Sequence, residues 1–597
     1  MWTRYVNQIY EKYGDNYIKD VFLRFNPTLE TNNQEREYLI CINWMLSSSH
    51  PKFRAIIIRK LRNILQIRQT LILWLIKMFE DINDPYVLAG LYCAVCGVVL
   101  TSRDKELPSQ IAGHIYKHYY ESYETVPQDL IVRQWTLKII EYAYHLDKSC
   151  DYWKRIKTPF KAQPIDDNAI PEYDYISKGF FGLQQGSIMM YNSMFSFEDF
   201  NRYIIGTNNR NFSNDYFQRT EDGKYQGVSL NNIMAEMTYY IVNVFCWNDK
   251  LGYLDNGKYS RNRFHNELER IGKKFQWLAW YRVNAHLMDT CYTSKKQYYY
   301  KDTADEKDIT YNPYPWNSAE TSRFDPTLDI KPKYFPTTRL FGIEKQTIKY
   351  NQDEDWINKN NILPEFRYEA TFQDGFKYVM LVGYDTAKKD GKETFLFSNA
   401  CFVKQNDSEL FANWAKKQNF YGRWMPEHRG MTGFLWNDYP WADVYKSSIE
   451  HEIWSKPNDC PCDIQLSYEA QLQEDWEGID ENDEFLSTVY MPCAEMMNQM
   501  GLYCSEIRGV IKLTDGSIAA LNTDHENCIN GLFVREDILN DYLIRNGYIM
   551  FYYVLGEKVL KIGEMNSKMK DLSAAYQYQH NCKIITVQPM RVIERER

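Results

Sequence analysis

The sequence has little glycine and proline for its length, with 28 glycines and 20 prolines in 597 residues. It contains no Gly-x-x-x-x-Gly-Lys-Ser/Thr loop, and no Gly-x-Gly-x-x-Gly motif opens a helix. Because such loops form the backbone cradle for nucleotide phosphates, the sequence offers no candidate site for a triphosphate or a dinucleotide. The Gly-x-Ser-x-Gly elbow of many serine hydrolases is also missing. We therefore predict no cofactor.

No segment is long and apolar enough to predict a membrane span. The most apolar stretches, Thr70–Phe79 and Leu88–Leu100, have 10 and 13 residues, whereas a bilayer needs roughly 20. The first ten residues lack the basic stretch and apolar run of a secretory signal. The 13 cysteines are scattered and odd in number, which favours reduced thiols. These features predict a cytoplasmic protein without a membrane partner.

The overall composition is that of a folded protein. Hydrophobic residues make up 44% and charged residues 25% of the chain, close to the globular average, and the length suggests about three to five domains. The aromatic share is high at 16%. The net charge of −9 does not favour binding to nucleic acid, although a local basic patch is compatible with it.

The first 150 residues show helical periodicity. Three segments, starting at His50, Asp84 and Pro127, each place a turn residue or a proline before an amphipathic helix. Their spacing is similar to that of stacked HEAT or armadillo repeats. Since the ends of a repeat array need polar caps and none precedes Met1, we expect an upstream partner module.

The remaining chain changes from helical to strand-like patterns. Helices are predicted within Val228–Asn248 and His265–Tyr292, and a loop-like region over Ser294–Lys333. Period-two stretches with Asp-Gly turns at Asp390 and Asp515 predict a strand-rich α+β half. Near its end we predict a helix over Glu536–Asn546 and strands over Gly547–Gly563 and Lys583–Val592. The expected fold is multidomain α plus mixed α/β, with HEAT-like repeats (1–150), a linker (151–173), a mainly helical connector (174–335), an α+β domain (336–456), an acidic segment (457–507) and a small α+β domain (508–597).

Charge is unevenly distributed between two segments. Residues 457–507 contain twelve acids and no lysine or arginine, whereas residues 38–79 contain seven bases and no acid. An acidic loop docked on a basic helical face is one interpretation, and two separate solvated faces are the other.

Few residues suggest catalysis or metal binding. Cys93 and Cys96 lie in an apolar helical run, so we expect core thiols. A zinc site could form from Cys460, Cys462, Cys493, Cys504 and the segment Asp524–Cys528. A carboxylate nuclease site could form from Glu369, Asp374 and Lys377. The sequence does not decide whether the chain is an enzyme, but the lack of a recognisable catalytic motif favours a non-catalytic protein.

The densest aromatic segment spans residues 419–441, where tryptophans and tyrosines alternate with charged residues and glycines. Aromatic side chains with polar ends are frequent in contact sites. The other interpretation is a loop packed on its own aromatic rings. The candidate partner-binding surface consists of Arg423, Trp424, Glu427, His428, Trp436 and Trp441.

Five ordered sequence blocks within residues 195–563 resemble a known family. They are Asn201–Gly206, Glu269–Ala279, Phe324–Leu328, Phe420–Glu427 with Tyr439–Trp441, and Val554–Lys558. They are similar to the C-terminal part of large bacterial ATP-binding proteins of the STAND or NACHT-like class, associated with antiviral defence.

The resemblance implies that helical repeats and the C-terminal half act in sensing or transmission beside a P-loop ATPase. That ATPase is missing from this sequence, so neither ATP nor a catalytic residue is carried over. The expected function is a non-catalytic sensor or transmission module with a protein partner, either the ATPase or a foreign protein. A metal- or cysteine-dependent hydrolase or nuclease in the C-terminal half is the alternative.

Overall fold

The chain folds into two compact units, comprising residues 1–330 and residues 331–474 with 484–597. The computed structural model describes residues 3–10, 12–13, 32–161, 169–177, 188–195, 200–205, 216–221, 223–256, 270–294, 303–304, 309–311, 325–328, 353–358, 369–371, 374–418, 420, 434–449, 459–474, 486–523, 530–561, 567–579, 583–586 and 591–596. Helices dominate the N-terminal half and strands the C-terminal half, as the sequence predicts. The finer division into six segments stays a prediction.

The first unit begins with a helical array. Residues 3–10 are helical, and they are followed by α1 (Asn32–Met45), α2 (Pro51–Ile67), α3 (Ile72–Phe79), α4 (Pro85–Thr101), α5 (Glu106–Ile115) and α6 (Leu130–Leu146). Helix α4 contacts both α2 and α6, and nearly all of its residues are buried. This burial explains its unbroken apolar sequence.

Local capping explains where the array helices begin. Pro51 and Pro85 occupy the first turn of α2 and α4, where a missing N–H costs no hydrogen bond. The Asp84 carboxylate accepts the Tyr86 N–H at 3.1 Å. The Asp129 carboxylate accepts two N–H groups of α6 at 2.9 and 3.0 Å. The predicted helices are confirmed, while their repetition in HEAT fashion stays a prediction.

The rest of the first unit combines helices with a small sheet. The helices are α7 (Tyr152–Arg155), α8 (Tyr173–Ser177), α9 (Ile188–Phe195), α10 (Leu230–Tyr239), α11 (Asp249–Asn256) and α12 (Ile271–Thr290). Both predicted helical segments are confirmed by α10 and α12. Their buried side chains belong to one apolar cluster that includes Ile233, Met237, Trp280 and Val283.

The small sheet corrects one expectation. Its strands are β1 (Tyr216–Arg219), β2 (Tyr225–Gly227), β3 (Tyr292–Ser294), β4 (Thr303–Ala304) and β5 (Ile309–Tyr311), in the order β4-β2-β1-β3-β5. The prediction of loop structure throughout residues 294–333 is therefore wrong at β4 and β5. Strands of two or three residues are too short to produce a periodic pattern in the sequence.

The second unit is built on a twelve-stranded sheet. Its strands are β6 (Glu369–Thr371), β7 (Lys377–Lys389), β8 (Lys392–Lys404), β9 (Gln465–Leu466), β12 (Tyr503–Cys504), β13 (Val510–Lys512), β14 (Ile518–Thr523), β15 (Asn530–Arg535), β16 (Tyr548–Lys561), β17 (Ser567–Gln579), β18 (Lys583–Thr586) and β19 (Arg591–Glu596). The main order is β12-β13-β14-β15-β7-β8-β16-β17-β18, while β6, β9 and β19 pair with β7, β8 and β17.

A separate two-stranded sheet and short helices complete the second unit. The sheet pairs β10 (Tyr468–Glu474) with β11 (Leu486–Pro492). The helices are α13 (Asp353–Asn358), α14 (Ser408–Ala415), α15 (Asp443–Ile449), α16 (Ala494–Gln499) and α17 (Glu536–Asn546). The predicted acidic segment thus contains β10, β11 and α16, whereas its central residues 475–485 lie outside the described residues.

The predicted turns and the last helix are confirmed. Asp390 and Gly391, with φ of 50° and 74°, join β7 to β8 as a two-residue hairpin turn. Gly516, with φ of 85°, lies in the turn between β13 and β14. Gly547 ends α17 in the left-handed conformation. In contrast, β17 was not predicted, and the expected strand Lys583–Val592 corresponds to parts of β18 and β19.

Candidate functional site

The predicted partner surface is only partly described. Arg423, Trp424, Glu427 and His428 lie outside the described residues. The chain is fixed on both sides of them, because the Phe420 N–H donates to Ser573 Oγ of β17 at 3.0 Å. On the other side, Gln471 Nε2 of β10 donates to the Phe434 carbonyl at 2.8 Å. The aromatic segment is therefore anchored to two different sheets of the second unit.

The two described tryptophans require a correction. Trp436 is fully buried, and its Nε1 donates to the Ser505 carbonyl at 2.8 Å. Trp441 is half-buried, with Nε1 bonded to the Asn437 carbonyl at 2.6 Å. Trp436 therefore belongs to the core, not to an exposed contact surface. The interpretation of a loop packed on its own rings stays a prediction.

A buried carboxyl group lies at the centre of this aromatic core. Glu469 of β10 accepts a hydrogen bond from the Tyr445 hydroxyl and one from the Ala494 N–H at 3.4 Å. Tyr445 packs edge-on against Tyr439, with ring centroids 4.8 Å apart. Burial raises the pKa of Glu469 from 4.5 to about 7, because desolvation outweighs these hydrogen bonds. The cluster thus holds a carboxyl that titrates near neutral pH.

Two thiols border the Glu469 cluster. Cys493 Sγ lies 3.9 Å from the Tyr542 hydroxyl, and Cys504 Sγ donates to the Tyr439 carbonyl at 3.8 Å. Burial raises the pKa of Cys493 to about 12. Since the thiolate is the reactive form of cysteine, Cys493 is a core thiol in this environment and not an activated nucleophile.

The Glu469 carboxyl predicts a pH-dependent stability. Its proton is held more tightly in the folded state, so its contribution is fully present below pH 4.5 and is lost as pH rises to about 7. Glu469→Gln keeps an acceptor for Tyr445 but cannot ionise. We expect the variant and the natural protein to unfold alike at pH 4.5, and the variant to be about 2–3 kcal/mol more stable at pH 8. Urea unfolding of the second unit at both pH values measures this.

Glu409→Gln is the matched control for the loss of one carboxylate, because Glu409 is exposed in the first turn of α14. This variant should unfold with the same pH dependence as the natural protein. Equal stability of Glu469→Gln and the natural protein at both pH values would contradict a buried, neutral Glu469.

The predicted zinc ligands lie in two different surroundings. Cys460 and Cys462 are buried with Cys401 in the apolar cluster around Phe411, whereas Cys493 and Cys504 border Tyr542 and Tyr439. Within the described residues, no group of three or more His, Cys, Asp or Glu side chains is arranged to hold a metal ion. The segment Asp524–Cys528, which also belongs to the candidate site, lies outside the described residues.

The predicted nuclease residues have structural contacts where they are described. The Asp374 carboxylate accepts the Phe376 N–H at 2.9 Å and the Tyr378 hydroxyl at 2.8 Å, which stabilises the turn before β7. Lys377 is exposed and pairs in register with Thr371. The Glu369 side chain is not among those described. Cys93 and Cys96, as expected, are buried in α4.

Sequence reasoning missed two charged pairs that attach α12 to the helical array. Near the C-terminal end of α12, Asp289 receives two hydrogen bonds from Arg133 of α6, at 3.0 and 2.9 Å. Both side chains are at most 2% exposed. The Phe160 N–H adds a bond to Asp289 at 3.2 Å, and Arg133 Nε donates to the Pro127 carbonyl at 3.0 Å.

A second ion pair, between a buried lysine and a partly exposed aspartate, lies near the other end of α12. Lys274 Nζ donates to the Asp84 carboxylate at 2.8 Å and to the Ser47 carbonyl at 3.1 Å. Burial lowers the pKa of Lys274, while Asp84 raises it in part. Lys274 and Asp289 are separated by about 22 Å along the helix axis. Helix α12 is therefore attached to α4 and α6 at both of its ends.

His286 lies on the same helix as these pairs. Its Nδ1 is 2.8 Å from a Glu236 carboxylate oxygen on α10. The net effect of its surroundings is a raised pKa, because the hydrogen bond and charge of Glu236 outweigh burial, the largest single influence. It is thus a half-buried, hydrogen-bonded histidine. It adds an electrostatic link between α10 and α12.

The basic stretch is solvated only in part. Arg59 and Arg62 of α2 are 7% and 2% exposed, and Arg62 donates to the Leu328 carbonyl at 3.4 Å. Arg54 donates to the Tyr86 carbonyl at 3.1 Å and lies 3.8 Å from the Tyr86 ring centroid. Arg54 and Arg62 thus hold neighbouring backbone in the first unit.

None of the helices in the described residues has the length and apolar character needed to cross a bilayer. Comparison with known protein families finds no family model that matches this chain, and comparison with curated proteins finds no match.

Proposed function

We propose that the chain is a binding and transmission module that recognises a protein partner and relays that event through its helical array. The observation that carries this proposal is the attachment of α12 to the array by two ion pairs: Arg133–Asp289, which is buried, and Lys274–Asp84, in which the lysine is buried and the aspartate is 22% exposed. Helix α12 and the array should move together, because separating them would leave a buried charged side chain without its partner.

The partner and its location belong to the same proposal. The sequence resemblance supports an ATPase module, in the same or a separate chain, acting with the array in the cytoplasm. The segment around Arg423 and Trp424 supports recognition of a protein surface, since it is anchored at Phe420 and Phe434 to two sheets. Arginine and tryptophan are enriched among residues that dominate binding energy.

Amide hydrogen exchange tests the mechanical part of the proposal. In Lys274→Met, Asp84 loses its buried partner at one end of α12. We expect amides 284–290, at the other end, to exchange about tenfold faster, because the helix loosens as one body. Lys273→Met is the matched control, since this neighbouring lysine is only half-buried. Faster exchange confined to residues 271–277 would count against transmission through α12.

The alternative function, a metal- or cysteine-dependent hydrolase or nuclease, has a separate test. The cysteines at 460, 462, 493 and 504 and the segment Asp524–Cys528 supply its candidate ligands. Metal analysis of the purified protein distinguishes the two functions. Stoichiometric zinc that is lost in Cys460→Ser would favour the hydrolase, and zinc-free protein without nuclease activity would favour the binding module.

A further inference from the structure

We propose that His286 is a pH-sensitive link between α10 and α12, and that the relay through α12 extends to α10 only while this histidine carries a proton. The inference rests on the proposed function, because it names how transmission through α12 would be regulated. The link is separate from the two ion pairs that attach α12 to the array, since it joins α12 to a different helix of the first unit.

His286 and Glu236 form a charged contact inside an apolar helix interface. Their side chains, joined by the 2.8 Å contact between Nδ1 and a carboxylate oxygen, are only 23% and 9% exposed. The residues next to them in sequence, Met237 and Leu287, belong to the apolar cluster that α10 and α12 share. Because little water reaches the carboxylate, the strength of this contact depends on whether the imidazole is charged.

The other ionisable groups at this place come from α10, α6 and α12. Those of α10 and of the π-helical turn that continues it are Glu236 and Tyr240; those of α6 and its cap are Arg133 and Asp129; those of α12 and the residue after it are Arg282, Asp289 and Cys291. These described groups include three carboxyls and two guanidinium groups. When the carboxyls are ionised, a protonated His286 supplies the positive charge that balances them.

The surroundings of His286 favour its charged form near neutral pH. Burial lowers the pKa of His286 and is the largest single influence, and Arg282 acts in the same direction. The hydrogen bond and the charge of Glu236, with the charge of Asp289, outweigh both, so the pKa lies above its ordinary value of 6.5. Burial raises the pKa of Asp129 to about 6 and that of Cys291 to about 11. As the pH rises from 6 to 8.5, His286 is therefore the group that loses a positive charge.

Loss of this proton weakens the connection between α10 and α12. A neutral imidazole can keep a hydrogen bond to Glu236, but a hydrogen bond between charged groups is roughly twice as strong. Because the pKa of His286 is raised in the folded state, its stabilisation is fully present below pH 6.5 and is lost as the pH rises through the folded-state pKa. Arg133 keeps its charge throughout, so α12 stays attached to α6 while α10 loosens.

Amide hydrogen exchange of the full chain at two pH values tests the link. Rates are converted to protection factors, which removes the pH dependence of the chemical exchange step. We expect the protection of residues 230–239 to fall about fivefold between pH 6 and pH 8.5 in the natural protein. His286→Gln keeps a neutral hydrogen-bond donor for Glu236 but cannot carry a charge, so protection in this variant should be low at both pH values.

His145→Gln is the matched control for the loss of one histidine, because His145 is exposed on α6 of the same unit. This variant should show the same fivefold fall as the natural protein. An effect of Asp129, which also titrates near pH 6, would persist in His286→Gln and is thereby separated from that of His286. No fall in the natural protein, or an equal fall in His286→Gln, would overturn the proposal.

A histidine titration by NMR measures the charge of His286 directly in the natural protein. The imidazole signal that is missing in His286→Gln identifies the residue. It should titrate above pH 6.5, and Glu236→Gln should lower the midpoint, because the carboxylate no longer stabilises the imidazolium. A midpoint at or below pH 6.5, or one that Glu236→Gln leaves unchanged, would contradict the link. The Lys274→Met test reads exchange in α12, whereas this one reads α10 and His286, so transmission and its pH dependence can fail separately.

Discussion

Arg133→Met should destabilise the first unit by about 3–5 kcal/mol, one of the largest effects expected in this chain. The substitution removes both guanidinium donors to Asp289, whose side chain is 2% exposed. The carboxylate then keeps only the Phe160 N–H at 3.2 Å among these donors. Burial already raises the pKa of Asp289, and Arg133 opposes that rise, so its removal shifts the carboxyl further towards the neutral form.

The double variant separates the free-energy cost of leaving the Asp289 carboxylate unpaired from the net contribution of the Arg133–Asp289 pair to stability. Arg133→Met with Asp289→Leu leaves no buried charge, and we expect it to recover most of the stability lost in the single variant. The deficit of Arg133→Met should also be smaller at pH 5 than at pH 8, because protonation of Asp289 relieves the unpaired carboxylate. Urea unfolding of the first unit, followed by hydrogen exchange at α6 and α12, measures the stability lost in Arg133→Met, the stability recovered in the double variant and the pH dependence of the loss.

An exposed arginine–aspartate pair supplies the control. Arg155 contacts Asp151 at 2.5 Å, and their side chains are 53% and 45% exposed. Arg155→Met should leave unfolding essentially unchanged, since water screens and replaces the interaction. If Arg133→Met unfolded like Arg155→Met, the attachment of α12 to α6 would contribute nothing to the unit.

The sequence predicted the elements whose cause is local. Asp390–Gly391 forms a hairpin turn because both positions take positive φ, and this dipeptide is a strong turn signal. Helix α17 was predicted with the bounds Glu536–Asn546, because Gly547 ends it. In both cases the deciding interactions lie within a few residues of each other.

The missed features depend on partners far apart in sequence. Strand β17 contains Lys568, Lys570 and Asp571, so its composition is not typical of a buried strand. It is ordered by pairing over residues 567–577 with β16 and, towards its two ends, with β18 and β19. No pattern within β17 itself indicates these neighbours.

The charged pairs of α12 were missed for the same reason. Arg133 and Asp289 are 156 residues apart, and Lys274 and Asp84 are 190 apart. The sequence held one indication of this site, because Lys274 lies in Glu269–Ala279, one of the five blocks that resemble the STAND or NACHT-like class. Neighbouring Gly272 is needed there because a Cβ would lie 2.4 Å from Asp255 Oδ2. Part of that block is thus explained by packing alone.

In the candidate partner-binding surface, the amino-acid composition of the segment did not predict which tryptophans are exposed. Trp436 and Trp441 were grouped with Arg423 and Trp424 because they share one aromatic segment. The fold divides the segment, since Trp436 is buried and its Nε1 donates to the Ser505 carbonyl. Burial depends on what the rest of the chain places nearby, and an aromatic residue alone does not determine it.

Gly531→Ala should destabilise the second unit by about 2–3 kcal/mol, because the central strands have no room for a side chain at this position. A Cβ at residue 531 would lie 2.2 Å from the Val382 carbonyl oxygen and 2.9 Å from Gly383 Cα. Both neighbours are backbone atoms of β7, which pairs with β15 at Gly531 and Gly383. Unlike a flexible side chain, they can move away only if the two strands separate.

Gly113→Ala is the control for exchanging a buried glycine for alanine. A Cβ there would first meet the end of the Tyr152 side chain at 3.2 Å, and alanine gains about 1 kcal/mol of helix propensity over glycine. We expect it to be neutral or slightly stabilising in the first unit.

Gly531→Ala should lower the urea midpoint of the second unit and accelerate amide exchange in β7 and β15. Unchanged exchange in both strands would mean that β15 does not pair with β7 at this close distance. The order of the central sheet would then need revision.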